Sequence, residues 1–212
     1  METTRLIAIR HGETAWNVDT RIQGQLDIGL NERGQWQARQ AARALAEEPI
    51  AAIYSSDLSR AFDTARAIGA VVGLEPEPHL GLRERAFGMF EGRTWAEIEA
   101  QWPEDTRRWR DREPGWAPTH GETLEQVRDR VALATEALAA RHRGEQIVLV
   151  AHGGVMDALY RLATQQPMQA PRSWSLGNAA INRLLWSPQG LTLVGWGDTR
   201  HLEDAALDES SS

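Results

Sequence analysis

The chain has 212 residues and a formal net charge of −7, and all 23 of its basic residues are arginine, since Lys does not occur. Cys is absent as well. These two absences exclude disulfides, thiolate nucleophiles and cysteine-ligated metals, and also lysine Schiff bases and phosphate-binding loops that end in lysine. A phosphate or carboxylate ligand must therefore be held by arginine, histidine, backbone N–H groups or a metal ion.

The remaining bulk properties are those of a globular domain. Hydrophobic residues make up 42% of the chain and charged residues 25%, which predicts one domain over residues 1–200. The acidic residues 201–212 predict a disordered tail. The negative net charge argues against a nucleic-acid partner, and no apolar run is long enough for a signal peptide or a membrane span. We therefore expect a cytoplasmic protein with no nucleic-acid or membrane partner, as the lack of Cys also favours.

Short apolar runs alternate with amphipathic segments along the chain. Strands are predicted at Leu6–Ile9, Ile50–Tyr54 and Ile147–Ala151, with an edge piece at Leu74–Leu82 and a closing hairpin of Asn182–Trp186 and Leu191–Val194. Helices are predicted from Asn31 to Leu45, from Ser56 or Asp57 to Val72, from Thr123 to Leu138 and from Gly153 to Leu162. This order predicts an α/β fold, a three-layer α/β/α sandwich around a mostly parallel sheet.

A stretch without a clear strand, from about residue 84 to 143, predicts a helical insertion over the carboxyl ends of the strands. Tryptophan recurs in it every seven residues, at Trp95, Trp102, Trp109 and Trp116. Prolines between these positions exclude one continuous coiled-coil helix. We expect the rings mainly to pack the insertion against the body of the domain rather than to line a substrate pocket.

Basic residues occur where three of the predicted strands end. Arg10 and His11 end the first strand, Arg60 lies in the first turn of the helix after the second strand, and His152 follows the strand that begins at Ile147. Since parallel strands deliver their carboxyl ends to one edge of a sheet, we expect these four side chains to converge there. They predict an anion site, and the glycines after both histidines allow backbone N–H groups to approach the anion.

The segments around these positions resemble the histidine phosphatase superfamily, the group that includes phosphoglycerate mutases. The resemblance is carried by Arg10-His11-Gly12-Glu13-Thr14 with Asn17, by Ser55-Ser56-Asp57-Leu58-Ser59-Arg60-Ala61, by Glu84 and by His152-Gly153. The segments 22–27, 30–34 and 120–123 also match, and the similarity covers about residues 5–197. It implies a phosphatase-type member of this superfamily.

The resemblance implies a role for each matching residue. His11 would be the nucleophile that becomes phosphohistidine, and Glu84 would protonate the leaving oxygen and then activate water. His152 would be the third catalytic residue and would hold the phosphoryl group. The other implied positions are phosphate-binding Arg10, Asn17, Arg60 and Gly153 and substrate-binding Gln23 and Gly24. A neutral imidazole suits this chemistry, because its nitrogen is a nucleophile at pH 7 without an added base.

The same resemblance sets the expected partners. Phosphoryl transfer depends mostly on positioning and charge stabilisation, which arginines supply here, so we expect no metal and no cofactor. The expected ligand is a small phosphorylated metabolite. The family permits a monomer or a homodimer.

Phosphatase activity is favoured over two alternatives. The chain is shorter than the cofactor-dependent phosphoglycerate mutases, and Gly154 stands where such mutases usually carry Asn. A non-catalytic phosphoester-binding module is disfavoured because the nucleophile, the arginines and the acid are all present. Four arginines of the insertion lie where mutases grip a carboxylate, but their acidic neighbours favour a solvated, ion-paired face. These are Arg107, Arg108, Arg110 and Arg112.

Overall fold

The computed structural model describes residues 2–203, which form a central sheet with helices on both faces. The strands are β1 (Thr4–Arg10), β2 (Ala52–Ser55), β3 (Glu77–Pro78), β4 (Gln146–Ala151), β5 (Ile181–Ser187) and β6 (Gly190–Asp198). The helices are α1 (Ala15–Val18), α2 (Glu32–Ala44), α3 (Ser59–Val72), α4 (Trp95–Gln101), α5 (Pro103–Arg110), α6 (Leu124–Ala139) and α7 (Gly153–Thr164). Short 3₁₀ turns lie at Leu80–Leu82, Gly88–Phe90 and Ala140–His142.

The sheet has the strand order β3-β2-β4-β1-β5-β6. The first four strands of that order pair in parallel, and β5 runs antiparallel to both of its neighbours. The predicted α/β/α sandwich with a mostly parallel sheet is thereby confirmed. Arg10 of β1 is in register with Ala151 of β4, and Ser55 of β2 with Val150. The carboxyl ends of these three strands therefore lie side by side.

Both faces of the sheet are buried, which follows from the period-2 alternation of side chains along apolar strands. Leu6 and Ala8 of β1 pack in a core with α6 and α7, through residues such as Val131. Ile7 and Ile9 of the same strand pack in the opposite core with α2 and α3. The two helix layers hold the sheet rigidly and leave its carboxyl edge to the loops.

Helix starts follow the sequence signals in most places. The side chain of Asn31 accepts a hydrogen bond from the Gly34 N–H and caps α2, and Thr123 forms a capping box at the start of α6. The start predicted for α3, with Ser56 or Asp57 as its cap, is wrong, because the helix has Leu58 at its N-cap and no side-chain cap. Ser56 accepts the Leu58 N–H at 3.3 Å but lies outside the helix and is fully buried.

The insertion is shorter than predicted. α6 packs in the same core as α7, so it belongs to the sandwich, and the insertion ends near residue 123 rather than 143. Within it, Trp102, Trp109 and Trp116 surround Phe90 in an aromatic cluster, as expected for packing residues. Trp95 is one-third exposed, and both Trp95 and Trp109 also line cavities, so the packing interpretation is incomplete.

The predicted hairpin is formed by β5 and β6. Residues 201–203 were predicted to belong to a disordered tail, but residues 200–203 form a helical turn and the ring of His201 lies 3.1 Å from the Ala179 carbonyl oxygen. The rest of that tail, residues 204–212, lies outside the described residues. Among residues 2–203, no helix is long and apolar enough to cross a membrane.

Candidate active site

The four basic residues predicted at strand ends do converge. His11 directly follows β1, and its backbone N–H donates to the Ala151 carbonyl at 2.9 Å. His152 is the N-cap of α7, next to the end of β4, and Arg60 lies in the first turn of α3. The two imidazole rings are 5.2 Å apart between centroids. Adjacent parallel strands thus bring together residues that are more than 140 positions apart in the chain.

His11 is held in one tautomer. Its Nδ1 lies 2.6 Å from the carbonyl oxygen of Gly12, and since a carbonyl only accepts, Nδ1 must carry the proton. Nε2 is then the nitrogen with a free lone pair. The residue is 2% exposed, and burial, followed by the charges of Arg10 and Arg60, holds the pKa of His11 well below its ordinary value. The ring is therefore neutral at pH 7, as a nucleophile requires.

His152 is also fixed and neutral. Its Nε2 lies 2.8 Å from the hydroxyl oxygen of Ser56, which in turn accepts the N–H of Leu58. That arrangement favours donation from the Ser56 hydroxyl to Nε2 and leaves the proton of His152 on Nδ1. Burial, then Arg60 and His11, lower the pKa of His152 well below its ordinary value. Nδ1 is buried and has no hydrogen-bond partner within residues 2–203, so it is a free donor beside His11.

Two arginines are fixed in the same region by backbone carbonyls. Arg60 is 1% exposed and donates to Leu26 at 2.9 Å and to Gly24 at 2.7 Å, while Arg10 donates to the carbonyl of Leu176. The Nε of each is buried without a partner in the described part of the chain. Two cations held by neutral carbonyls leave net positive charge, so the site favours an anion such as phosphate.

The cavity at this point has a volume of about 160 Å³. Its polar lining includes Arg10, His11, Asn17, Gln23, Gly24, Arg60 and Glu84. The Asn17 side-chain oxygen accepts from the Thr14 backbone N–H at 3.0 Å, which directs the Asn17 amide N–H₂ away from that loop. The Thr14 hydroxyl donates to Gln23 at 3.0 Å. Seven of the nine site residues expected from the sequence therefore line one small cavity, whereas His152 and Gly153 do not line it.

Glu84 enters the cavity from the start of the insertion. One carboxylate oxygen accepts the Arg85 N–H at 2.7 Å, and the Gly154 N–H lies 3.1 Å from both oxygens. Gly153 was expected to bring backbone N–H groups to the phosphate, but it lines the adjoining cavity. At the start of α7, the Gly154 N–H donates to Glu84. A Cβ on Gly154 would lie only 2.3 Å from Glu84 Oε1, so a larger residue there would displace this carboxylate.

The loop that carries Glu84 is fastened by contacts that the sequence does not reveal. Arg130 of α6 donates to the Gly81 and Arg83 carbonyls, at 3.0 and 2.9 Å, and pairs with the carboxylate of Glu122 at 2.8 Å. Arg83, the residue before Glu84, pairs with Asp57. No cluster of His, Asp and Glu suited to a metal ion occurs among the residues that the structure describes.

Comparisons with known proteins agree with this geometry. The family model of the histidine phosphatase superfamily (branch 1) matches residues 6–199. The chain belongs to the histidine phosphatase superfamily. Its relatives in the superfamily include a phosphoglycerate mutase-like protein of Arabidopsis thaliana, 36% identical over 99% of this chain and 92% of that one. A metal-independent phosphoserine phosphatase of the same plant is 37% identical over 97% of this chain and 86% of its own.

Solved structures of the superfamily give the same result. A mycobacterial glucosyl-3-phosphoglycerate phosphatase, solved as a complex with VO3, superimposes with a TM-score of 0.83 and 36% identity. The match covers 92% of this chain and 99% of that one. The fold and the family are therefore established together.

The arginine series of the insertion divides into two groups in this superfamily member. Arg107, Arg108 and Arg110 form exposed or half-exposed ion pairs with acidic side chains, as predicted for a solvated face, although Arg110 pairs with Glu99. Arg112 is the exception. It turns inward, pairs with the buried carboxylate of Asp157 at 3.0 Å and lines the large cavity next to the site.

Proposed function

We propose that the protein hydrolyses phosphate monoesters by way of a phosphohistidine formed on Nε2 of His11. The observation that carries this proposal is the state of His11: neutral, with its proton held on Nδ1 by the Gly12 carbonyl, and with Nε2 free in a cavity lined by Arg10 and Arg60. Such a nitrogen can attack phosphorus without a separate base. The two guanidinium groups offset the charge of the phosphoryl oxygens.

In the first step, His11 Nε2 forms a bond to phosphorus while the bond from phosphorus to the ester oxygen breaks. Glu84 gives its proton to the departing oxygen. Nδ1–H of His152 donates to a phosphoryl oxygen, a contact that strengthens as charge shifts in the transition state. The imidazolium character that develops on His11 is stabilised by the Gly12 carbonyl.

In the second step, water attacks the phosphohistidine. Glu84, now a carboxylate, accepts a proton from that water while the P–N bond breaks and inorganic phosphate forms. His11 and Glu84 return to their starting states. General acid and base catalysis of this kind contributes about 10²- to 10⁴-fold to a rate. Loss of Glu84 should therefore cost less than loss of the nucleophile.

A small phosphorylated metabolite is the proposed substrate class. The relatives named above include phosphatases of phosphoserine and of glucosyl-3-phosphoglycerate, both small phosphorylated molecules. The cavity of about 160 Å³ beside His11 suits a phosphoryl group and its first carbon atoms. We propose a cytoplasmic enzyme, on the sequence argument that Cys is absent.

Mutase activity is the second candidate, favoured by the mutase-like relative and by the inward arginine Arg112. Doubly labelled 3-phosphoglycerate, supplied with its bisphosphate, separates the two activities. The proposal expects phosphate release to equal or exceed isomerisation. Isomerisation much faster than phosphate release would make the protein a mutase.

Hydrolysis of 4-nitrophenyl phosphate by the wild type and by His11→Ala tests the function itself. We expect the variant to lose essentially all activity. His142→Ala is the matched control, because His142 lies near the amino end of β4, where it contacts Tyr54 and Glu145. Equal rates for wild type and His11→Ala would contradict the proposed mechanism.

A further inference from the structure

A second, larger cavity of about 400 Å³ adjoins the phosphoryl cavity. Arg10, Phe87 and Trp109 line both. Gly154 lines the larger one and donates its N–H to Glu84, the group proposed to protonate the leaving oxygen. The leaving group of a substrate bound with its ester oxygen at Glu84 would therefore extend into this larger cavity.

The lining of the larger cavity has two chemical halves. One half is apolar and is made by Phe87, Trp109, Leu124, Val127, Met168 and Leu176. The other half is mainly cationic and, apart from Arg10, is made by Arg85, Arg112 and Arg172, together with the carboxylate of Asp157. A cavity of this kind is suited to an organic group with an apolar body and an anionic end.

Arg112 owes its inward direction to the end of α5. The helix ends in a Schellman motif, in which the Glu113 N–H bonds to the Arg108 carbonyl at 3.3 Å and the Arg112 N–H to the Trp109 carbonyl at 3.0 Å. Arg112 occupies the left-handed position of that motif, with a φ of 50°, where glycine is the usual residue. This backbone conformation accompanies the inward direction of the Arg112 side chain, which pairs with Asp157.

The guanidinium of Arg112 is also fixed at its far end. It donates to the Met168 carbonyl at 2.9 Å and to Asp157 at 3.0 Å. Asp157 lies on α7, is 6% exposed and also pairs with the buried Arg161 at 2.9 Å. One carboxylate is therefore shared by two arginines, and net positive charge remains at the cavity wall.

Arg85, which follows Glu84 in the chain, adds to the positive charge of the cavity wall. Its guanidinium lies 4.6 Å from the centroid of the Trp109 ring, and its Nε donates to the Glu122 carbonyl at 2.9 Å. Burial lowers the pKa of Arg85 to about 10, with Glu84 acting in the opposite direction and Arg112 adding to the decrease. Arg85 and Arg112 line the same cavity, so an anion held between them would interact favourably with both charges.

Building on the proposed phosphatase activity, we propose that the natural substrates are phosphate monoesters whose alcohol part is largely apolar and bears a second anionic group. The apolar part packs against Trp109 and Leu124, and the anion pairs with Arg85 and Arg112. Asp157 is the positioning residue that holds Arg112 in place. This assigns substrate selection to the large cavity and phosphoryl transfer to the small one.

The test compares matched substrates. The phosphate monoester of 4-(hydroxymethyl)benzoate carries the second anion, and the monoester of its methyl ester lacks it. We expect the wild type to prefer the acid by at least about tenfold in kcat/KM, since a charge-assisted hydrogen bond supplies a factor of about 10 to 100. It should also prefer this acid to 3-phosphoglycerate, which has the anion without the apolar body. Equal or reversed preferences in the wild type would overturn the proposal.

Variants then assign the preference to residues. Arg112→Gln and Arg85→Gln should each lower the acid-over-ester ratio about 10- to 100-fold, mainly through KM. Asp157→Asn should lower it by a smaller factor, and Arg112→Lys should restore part of it. Arg107→Gln is the matched control, because Arg107 is exposed and pairs only with Asp111 in the described structure. A ratio unchanged in Arg112→Gln and Arg85→Gln would overturn the assignment.

Two further measurements distinguish a failure of the proposed subsite from a failure of the proposed phosphatase function. Product inhibition of the wild type by 4-(hydroxymethyl)benzoate and by its methyl ester requires no folded variant, and the acid should bind at least tenfold tighter. Hydrolysis of 4-nitrophenyl phosphate that requires His11 tests the phosphatase function alone. If that requirement holds while acid and ester behave alike, the subsite is wrong and the function stands. If 4-nitrophenyl phosphate hydrolysis does not depend on His11, the function itself fails.

Discussion

Nδ1 of His11 lies 2.6 Å from the carbonyl oxygen of Gly12, the next residue in the chain. This contact fixes the proton of a buried imidazole on the side away from the phosphoryl cavity and leaves Nε2 as the reactive atom. The loop is held in turn by a close backbone approach, since a Cβ on Gly12 would lie 2.3 Å from the Gly34 carbonyl oxygen. The backbone therefore sets the state of His11 on which the proposed mechanism depends.

Glu84→Gln should slow hydrolysis in a way that depends on the leaving group. An alkyl phosphate needs a proton at its leaving oxygen, so its kcat/KM should fall about 10²- to 10⁴-fold. The loss should be much smaller for 2,4-dinitrophenyl phosphate, whose leaving group departs unprotonated. Steady-state rates over a series of esters measure this difference. Equal losses across the series would mean that Glu84 does not protonate the leaving oxygen.

Ser56→Ala should impair catalysis through His152. Without the hydroxyl at 2.8 Å from Nε2, the ring is free to adopt the tautomer in which Nδ1 repels a phosphoryl oxygen. One hydrogen bond of this kind corresponds to about a tenfold loss in kcat/KM. Ser55→Ala is the control, because the Ser55 hydroxyl donates to the Ser56 carbonyl instead. Matching kinetics in the two variants would refute the role of Ser56.

Gly154→Ala should lower activity without lowering the stability of the fold. The new Cβ would lie 2.3 Å from Glu84 Oε1, so the flexible carboxylate must move out of position. Alanine is favoured over glycine in a helix by about 1 kcal/mol, so the melting temperature should not fall. Activity should nevertheless decrease by about 10²-fold, as for loss of a general acid. Gly195→Ala, where no described atom lies within 4 Å of the new Cβ, should behave as the wild type.

The buried histidines should make folding sensitive to mild acid. The pKa values of His11 and His152 are lowered in the folded state, so below about pH 6.5 the unfolded chain binds protons that the folded chain does not. The free energy of unfolding should therefore decrease as the pH falls from 6.5 towards 5, by about 1.4 kcal/mol per pH unit for each such histidine at the steepest.

Urea unfolding in a phosphate-free buffer measures this dependence. His152→Asn should have a smaller slope than the wild type over the same pH range. His201, whose pKa burial also lowers, contributes to the slope in both proteins and cancels in the comparison. Identical slopes would show that His152 titrates alike in the folded and unfolded states.

The sequence predicted the convergence of His11, His152, Arg10 and Arg60, because one rule about parallel sheets sends the ends of neighbouring strands to one edge. Glu84 was predicted only through family resemblance. No local pattern marks it, since its position depends on Arg130 and Glu122, which lie far along the chain from it.

Two residues differ from their sequence-based predictions because their local patterns have a commoner explanation. Ser56 stands before a helix and was predicted as one of two candidate caps, whereas its hydroxyl binds His152 across the sheet. Arg112 lies among charged neighbours and was predicted to be solvated. In the structure its backbone is left-handed at the end of α5, and its side chain points towards Asp157. Both outcomes depend on tertiary contacts that a local sequence window does not contain.

The most direct test of the central claim is to trap the phosphoenzyme. Glu84→Gln, which lacks the base for the second step, should accumulate it when mixed with a ³²P-labelled aryl phosphate and quenched within milliseconds. The account predicts label approaching one phosphate per chain, stable to alkali, labile to acid and located by peptide mapping on His11. His11→Asn should bind no label. An enzyme that turns over the same ester while label is absent, or lies on another residue, would contradict the account.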